Sequence, residues 1–273
     1  MLKLSIVTVC YNDADGLNYT LKSISNAVQI VSGHQIELIV IDGGSKDGTC
    51  DVLDEWESLI DIVVSEPDDG LYDAMNKGLS LAHGEHLMFV NAGDGLLLEG
   101  LSDVLKSIKS NITYCSRVSV ISELRENKWV FPNASVNFEN FSNWSLTHAV
   151  NLQGCFFPKA FYQSFKLDQR NFSISADMKF IAQARDTTGL QFIDVISGEF
   201  FLGGVSNNYA KFSHALNHSY EASTINCDYY RGNRLRVFIK IHTTLKFLMK
   251  FFVARSFGVQ CLRKLSGFYN VKR

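Results

Sequence analysis

Four short apolar runs, rich in β-branched residues, punctuate the first ninety positions: 4–9, 38–41, 61–64 and 87–90, each bounded by Gly, Asp, Asn or Pro. Runs of this length without polar alternation suit parallel strands covered on both faces. Between them, 14–30, 47–58 and 71–83 are long enough for crossover helices, with Asp47 and Asp13 or Asp15 placed to cap the first turns. The expected result is a βαβαβαβ half-fold. From about residue 111 the pattern shifts to short alternating runs, Ile112 to Val120 and Lys128 to Phe131, which predict smaller mixed or antiparallel strands.

Open α/β sheets bind ligands beyond the carboxyl ends of their strands, and the polar clusters of this chain fall there. Cys10-Tyr11-Asn12-Asp13 follows the first strand, Asp42-Gly43-Gly44-Ser45 the second, Glu66-Pro67-Asp68-Asp69-Gly70 the third and Asn91-Ala92-Gly93-Asp94 the fourth. Two glycines after Asp42 allow a tight turn and a close ligand approach; Asp42 reads either as an acceptor for a base or ribose or as part of a strand-ending turn. Asp94 closes an apolar strand, and Mg²⁺ typically takes one or two carboxylates plus substrate phosphates, so one aspartate can suffice. The same four residues also make an ordinary turn. Tyr72, Asn76 and Lys77 lie in the first two turns of the 71–83 helix, beside Asp69-Gly70, where they can face a nucleotide or its diphosphate. Leu71, Met75, Leu79 and Ala82 pack inward at helical spacing.

The chain has 273 residues, 46% hydrophobic and 20% charged, enough to bury a sizeable core. Six cysteines (Cys10, Cys50, Cys115, Cys155, Cys227, Cys261) stand singly, without Cys-x-x-Cys or ligand spacing to histidine, which fits a reduced cytoplasmic protein. The N-terminal apolar run is too short for a signal peptide and reads as a strand. Cys10-Tyr11-Asn12 in place of Gly-x-Gly-x-x-Gly excludes a Rossmann-type dehydrogenase. The net charge of -2 hides an asymmetry, because the last 43 residues carry eleven Lys or Arg and no Asp or Glu. Such an end suits an anionic membrane surface, and no nucleic acid is expected as partner. Within 235–253, Arg236, Lys240, Lys246 and Lys250 fall within an arc of about 120° on a helix, a pattern for an interfacial helix. A spanning helix would bury at least three of these charges, at roughly 2.5–3.5 kcal/mol each. The other reading is a helix pair packed on the main domain with lysines facing water.

Taken together, Leu4 to Asn12, Ile39 to Thr49, Ser65 to Gly78 and Phe89 to Asp94 give the chain a close resemblance to family 2 glycosyltransferases, in particular bacterial exopolysaccharide, colanic-acid and O-antigen enzymes. The resemblance implies a GT-A, Rossmann-like α/β fold: a central, mostly parallel sheet flanked by helices, followed by a basic amphipathic C-terminal helical segment. Residues 1–225 would form the catalytic domain, 1–95 holding the nucleotide sugar and 96–225 the acceptor, with 226–273 at the membrane. It implies an inverting transferase acting on a nucleoside-diphosphate sugar, with UDP the commonest nucleotide. The acceptor would be a lipid-linked oligosaccharide for capsule, exopolysaccharide or O-antigen, and the enzyme would sit on the cytoplasmic face of the membrane.

The donor nucleotide is expected at Thr8, Cys10, Tyr11, Asn12, Asp42, Gly43, Gly44, Asp69, Gly70, Tyr72, Asn76, Lys77, Asn91, Ala92 and Gly93, with Asp94 as ligand to Mg²⁺ or Mn²⁺. Asn91 and Gly93 stand where many relatives carry acidic residues. The similarity continues through 151–157, where Leu152 replaces a histidine, through Ile174-Ser175-Ala176-Asp177, where Asp177 matches the catalytic base, and through Gly203-Gly204-Val205-Ser206, a loop that closes over the donor. Without the resemblance, Asp177 reads as an N-cap for 178–185. The reduced motif at 91–94 and the missing histidine leave a second possibility, a non-catalytic nucleotide-sugar-binding protein that retains the fold.

Overall fold

The computed structural model describes residues 2–30, 35–109, 111–121, 128–132, 150–202, 212–229, 241, 243–245, 248–253 and 255–256. Strands β1 (Leu2–Cys10), β2 (Gln35–Asp42), β3 (Ile62–Ser65) and β4 (His86–Phe89) pair in parallel in the order β3-β2-β1-β4. Helices α1 (Ala14–Ile30), α2 (Thr49–Glu55) and α3 (Leu71–Leu81) make the crossovers. Asp47 accepts from Thr49 N at 3.0 Å and from Ala14 N at 3.2 Å, so it stands outside α2 and ties the starts of two helices together. That shortens the second helix relative to the 47–58 expected. Of the two candidate caps for α1, Asp13 is the one that accepts, from Gly16 N at 3.1 Å.

Both faces of β1, β2 and β4 are buried, as continuous apolar runs require, whereas the edge strand β3 is only partly covered and leaves Val63 45% exposed, against the expectation for 61–64. Val7, Val9, Ile39, Ile41, Leu87 and Phe89 pack with Met75 and Leu79 of α3. On the other face Leu4, Ile6, Leu38, Val40 and Met88 meet Leu17, Leu21 and Ile24 of α1, an i, i+4, i+7 stripe. Gly78 allows α3 to settle on β1, since a Cβ there would lie 2.3 Å from Val7 Cγ1.

The second half adds β5 (Gly95–Leu96), α4 (Leu98–Ser107), β6 (Thr113–Ile121), β7 (Lys128–Phe131), β8 (Cys155–Pro158), α5 (Lys159–Tyr162), α6 (Ala176–Thr188), β9 (Leu190–Phe201) and α7 (Phe212–Tyr229). The sheet runs β3-β2-β1-β4-β8-β6-β9-β5, with β7 on β6. Pairings beyond β4 are antiparallel except β6 with β9, the mixed pairing expected there, but β6 is buried along its whole length rather than at alternate positions. One sheet therefore crosses from the first half into the second. Phe180 of α6 packs on Phe157 of β8 and Phe161 of α5, with ring centroids 4.9 and 4.8 Å apart, fixing the helix whose first turn carries Asp177.

The loop 203–206 and most of the basic end lie outside the described residues. Among those described there, Ile241, Leu245, Met249 and Phe252 are each more than half exposed. They fall within about 80° on a helix. Lys250, on the opposite side, is half-buried, and that burial lowers its pKa from the ordinary lysine value. Among the described residues, no helix is long and apolar enough to cross a membrane.

Candidate active site

At the carboxyl edge of β1 to β4 the loops are laced together by their own polar groups. Asn12, with φ 48°, donates its N–H to Ser45 Oγ at 2.7 Å and accepts from Lys46 N at 2.8 Å. Asp42 is fully buried and accepts from Ser45 N, Ser45 Oγ and Ser65 Oγ. Its carboxylate thereby sets the shape of the turns after β2 and β3. Gly44 completes the first of these turns with φ 80°.

Gly43 sits between Tyr11 and Asp68: a Cβ there would lie 2.5 Å from Asp68 Oδ2 and 3.1 Å from Tyr11 Cδ2. Tyr11 is 64% exposed, and Asp68 accepts from Gly70 N at 2.8 Å through its other oxygen. An open aromatic face beside a carboxylate suits a nucleobase, which can stack on the one and donate N–H to the other. Asp69, rather than Asp68, is the carboxylate expected from sequence at the donor nucleotide. Asp69 is exposed, and its N–H turns back to Asp73 Oδ2 at 3.3 Å. With two carboxylates in a row, only the turn geometry tells which one faces Gly43.

Several expected donor contacts are spent elsewhere. Thr8 is fully buried and Cys10 nearly so, Cys10 in the apolar cluster under α1, so neither side chain reaches the rim. Burial, and after it the neighbouring Asp42, push the Cys10 thiol pKa up. Asn76 uses both ends of its amide on the Leu167 backbone, at 2.9 Å each. Lys77 pairs with Glu66 at 2.8 Å and Asp73 at 3.6 Å and donates to Pro67 O at 3.1 Å. Both residues hold α3 and its preceding turn in place.

Tyr72 also turns away from the donor loops. Its hydroxyl donates to Ile174 O at 2.7 Å and lies 3.2 Å from Asp177 Oδ1. Asp177 is in the first turn of α6, which begins at Ala176 with Ser175 as its N-cap, so the N-cap reading of Asp177 is corrected. Met178 N donates to Oδ1 at 2.8 Å. No described residue bonds Oδ2. Burial raises the Asp177 pKa, and the bonds from Met178 and Tyr72 oppose the rise.

Asp94 is 5% exposed. Its Oδ2 accepts from Gln153 Nε2 at 2.7 Å and its Oδ1 from Phe201 N at 2.9 Å. Burial raises its pKa to about 7 against those two bonds. The 3₁₀ turn Leu152–Gly154 that carries Gln153 packs on both β4 and α6, linking the Asp94 strand to the Asp177 helix. Gln153 was not singled out from sequence, because its partner is 59 residues away. Leu152 itself is buried.

Around Asp94 the donors are oxygens. Asn91 Oδ1 is buried without a partner among the described residues, and Asp13 Oδ2 would lie 3.8 Å from a Cβ on Gly93. This chemistry fits a hard cation such as Mg²⁺ or Mn²⁺ completed by phosphate oxygens. No group of three or more His, Cys, Asp or Glu with metal-holding geometry occurs among the described residues.

Residues 5–164 match the family described as Glycosyl transferase family 2. The chain belongs to this family. An uncharacterized glycosyltransferase of Mycobacterium tuberculosis is 44% identical over 91 residues, covering 33% of this chain and 34% of that protein. A protein of Bacillus subtilis named putative teichuronic acid biosynthesis glycosyltransferase TuaG is 32% identical over 94 residues, 33% of this chain and 36% of that one. The matched stretch spans about a third of the length of these curated relatives.

Staphylococcus aureus TarS 1–349 in complex with UDP superposes with TM-score 0.62 at 15% identity, over 90% of this chain and 71% of that one. The mannosyltransferase PcManGT from Pyrobaculum calidifontis, in complex with GDP-Man and Mn2+, gives 0.58 at 14% identity, over 99% and 81%. These likenesses establish the GT-A fold.

Proposed function

We propose that this protein transfers a sugar, with inversion, from a nucleoside-diphosphate sugar to a saccharide acceptor. The observation that carries the reading is Asp177, whose Oδ1 accepts from Met178 N and lies against the Tyr72 hydroxyl, while Oδ2 has no partner among the described residues. In this reading Oδ2 removes the acceptor hydroxyl proton as that oxygen attacks the anomeric carbon, and the bond from that carbon to the diphosphate breaks. The raised pKa makes Asp177 a stronger base than an exposed aspartate. Tyr11 and Asp68 hold the base, and Asp42 keeps their loops in register. Asp94, with Asn91 and Asp13 nearby, would hold the divalent cation, which when bound offsets charge on the departing diphosphate.

UDP as nucleotide is supported by TarS, solved with UDP and with UDP-GlcNAc, and a polysaccharide product by the name of the Bacillus subtilis relative. Incubation with UDP-GlcNAc, GDP-mannose and dTDP-glucose, with Mn²⁺ and without, tests the activity. Slow release of one nucleoside diphosphate, with water standing in for the acceptor, is expected only with the cation. Tight donor binding without release in any condition would favour the non-catalytic binding protein.

A lipid-linked acceptor at an anionic membrane surface belongs to the same reading, with 1–225 as catalytic domain and 226–273 as the contact. The outward stripe of Ile241, Leu245, Met249 and Phe252, in a segment whose only charges are positive, supports it. The protein is expected to float with phosphatidylglycerol vesicles and not with phosphatidylcholine. Met249→Glu with Phe252→Glu should abolish flotation, and unchanged flotation of that variant would refute the surface.

A further inference from the structure

Glu221 of α7 is 5% exposed and accepts four hydrogen bonds from the segment that leads into α6. Ser173 N and Ser173 Oγ donate to Oε1 at 2.8 and 2.9 Å, and Ile174 N and Ser175 N donate to Oε2 at 2.9 and 2.8 Å. All four contacts are donors, which suits a carboxylate that only accepts. Three consecutive backbone N–H groups just ahead of the Asp177 helix are thus satisfied by one side chain from another element. The carbonyl between them, Ile174 O, receives the Tyr72 hydroxyl that also lies against Asp177.

We propose that Glu221 is a positioning residue for Asp177: it clamps 173–175 so that Ile174 O and Tyr72 fix the orientation of the Asp177 carboxyl. The inference rests on the reading of Asp177 as the base. A simple helix cap needs one or two acceptor contacts at the first turn. Here the side chain comes from α7, 46 to 48 residues along the chain, and converges on the same peptide as Tyr72 of α3.

The electrostatics agree with the geometry. The groups that face Asp177 are Tyr72 from α3, Cys155 from β8 and Glu221 from α7, and of these the Glu221 charge adds to the upward push on the Asp177 pKa. Removing that charge moves the Asp177 titration down.

Glu221→Gln and Glu221→Asp separate the roles. In Glu221→Gln the donor KM should hold while kcat falls roughly tenfold to a hundredfold, the scale of a misplaced reacting group. The acid limb of the rate profile should shift to lower pH, together with the Asp177 carboxyl followed by carbon-13 NMR and assigned with Asp177→Asn. Glu221→Asp, which keeps the charge, should retain the wild-type NMR midpoint. The rate is read with the fastest of the three nucleotide sugars. A Glu221→Gln protein that loses thermal stability but keeps kcat and the Asp177 midpoint would overturn the proposal, leaving Glu221 a structural cap. If Asp177→Asn turns over at the wild-type rate, the base reading fails, and the NMR midpoint still decides whether Glu221 acts on that carboxyl.

Discussion

Asp177→Asn should lower nucleoside-diphosphate release by about 10²–10⁴-fold, the usual contribution of a general base, while the protein stays folded. The amide keeps an oxygen for the Met178 N–H and the same shape against Tyr72, so the packing of α6 on Phe157 and Phe161 is undisturbed. What is lost is the ability to take a proton. The pH dependence follows from the raised pKa. A base must be ionised, so wild-type kcat/KM should fall as pH drops through a value above the ordinary aspartate range, and the variant should lack that limb. Stability moves the other way. A carboxyl with a raised folded pKa holds its proton where the unfolded chain has released it, so stability declines as pH rises through that window. Asp177→Asn should lack this decline, and thermal melts across pH check it.

Asp94→Ala should abolish any cation-dependent gain in nucleotide affinity, a loss of at least about tenfold, or roughly 1.4 kcal/mol. The same change removes the acceptor for Gln153 Nε2 and for Phe201 N, so a stability cost of about 1–3 kcal/mol accompanies it. Asp94→Asn separates the effects. It keeps one oxygen but turns an NH₂ group toward the other donor and removes the charge, so it should lose the cation dependence as fully with a smaller or equal drop in thermal stability. Both variants are compared by thermal shift and by nucleotide titration with and without Mn²⁺.

The first half of the fold was legible because parallel strands buried on both faces, as β1, β2 and β4 are, leave an unbroken apolar signature, and β1 to β4 lie where the apolar runs stand, though the edge strand β3 is only partly covered. The rim loops were legible for the same reason, since each polar cluster directly follows a strand. Side-chain direction was not. Thr8 and Cys10 lie on β1 just before Tyr11, and as i, i+2 neighbours they share the face of Leu4 and Ile6, where both are buried. Asn76 and Lys77 carry ligand-like chemistry, but Leu167, Glu66 and Pro67 reach them first. Gln153 and Glu221 were invisible because their partners are brought close only by β8 and α7. The basic arc at 236–250 was read from helical spacing, whereas which side faces solvent depends on packing, and the described part of that segment turns an apolar stripe outward.

The central claim, a nucleotide-sugar site with a cation at Asp94, is tested most directly by calorimetric titration with UDP, GDP and dTDP. Each is measured with Mn²⁺, with Mg²⁺ and with neither, in wild type and Asp94→Ala. Binding of one nucleotide, strengthened by the cation in wild type and not in the variant, is the expected result. Failure of all three nucleotides to bind, or binding with the same cation dependence in both proteins, would contradict the account.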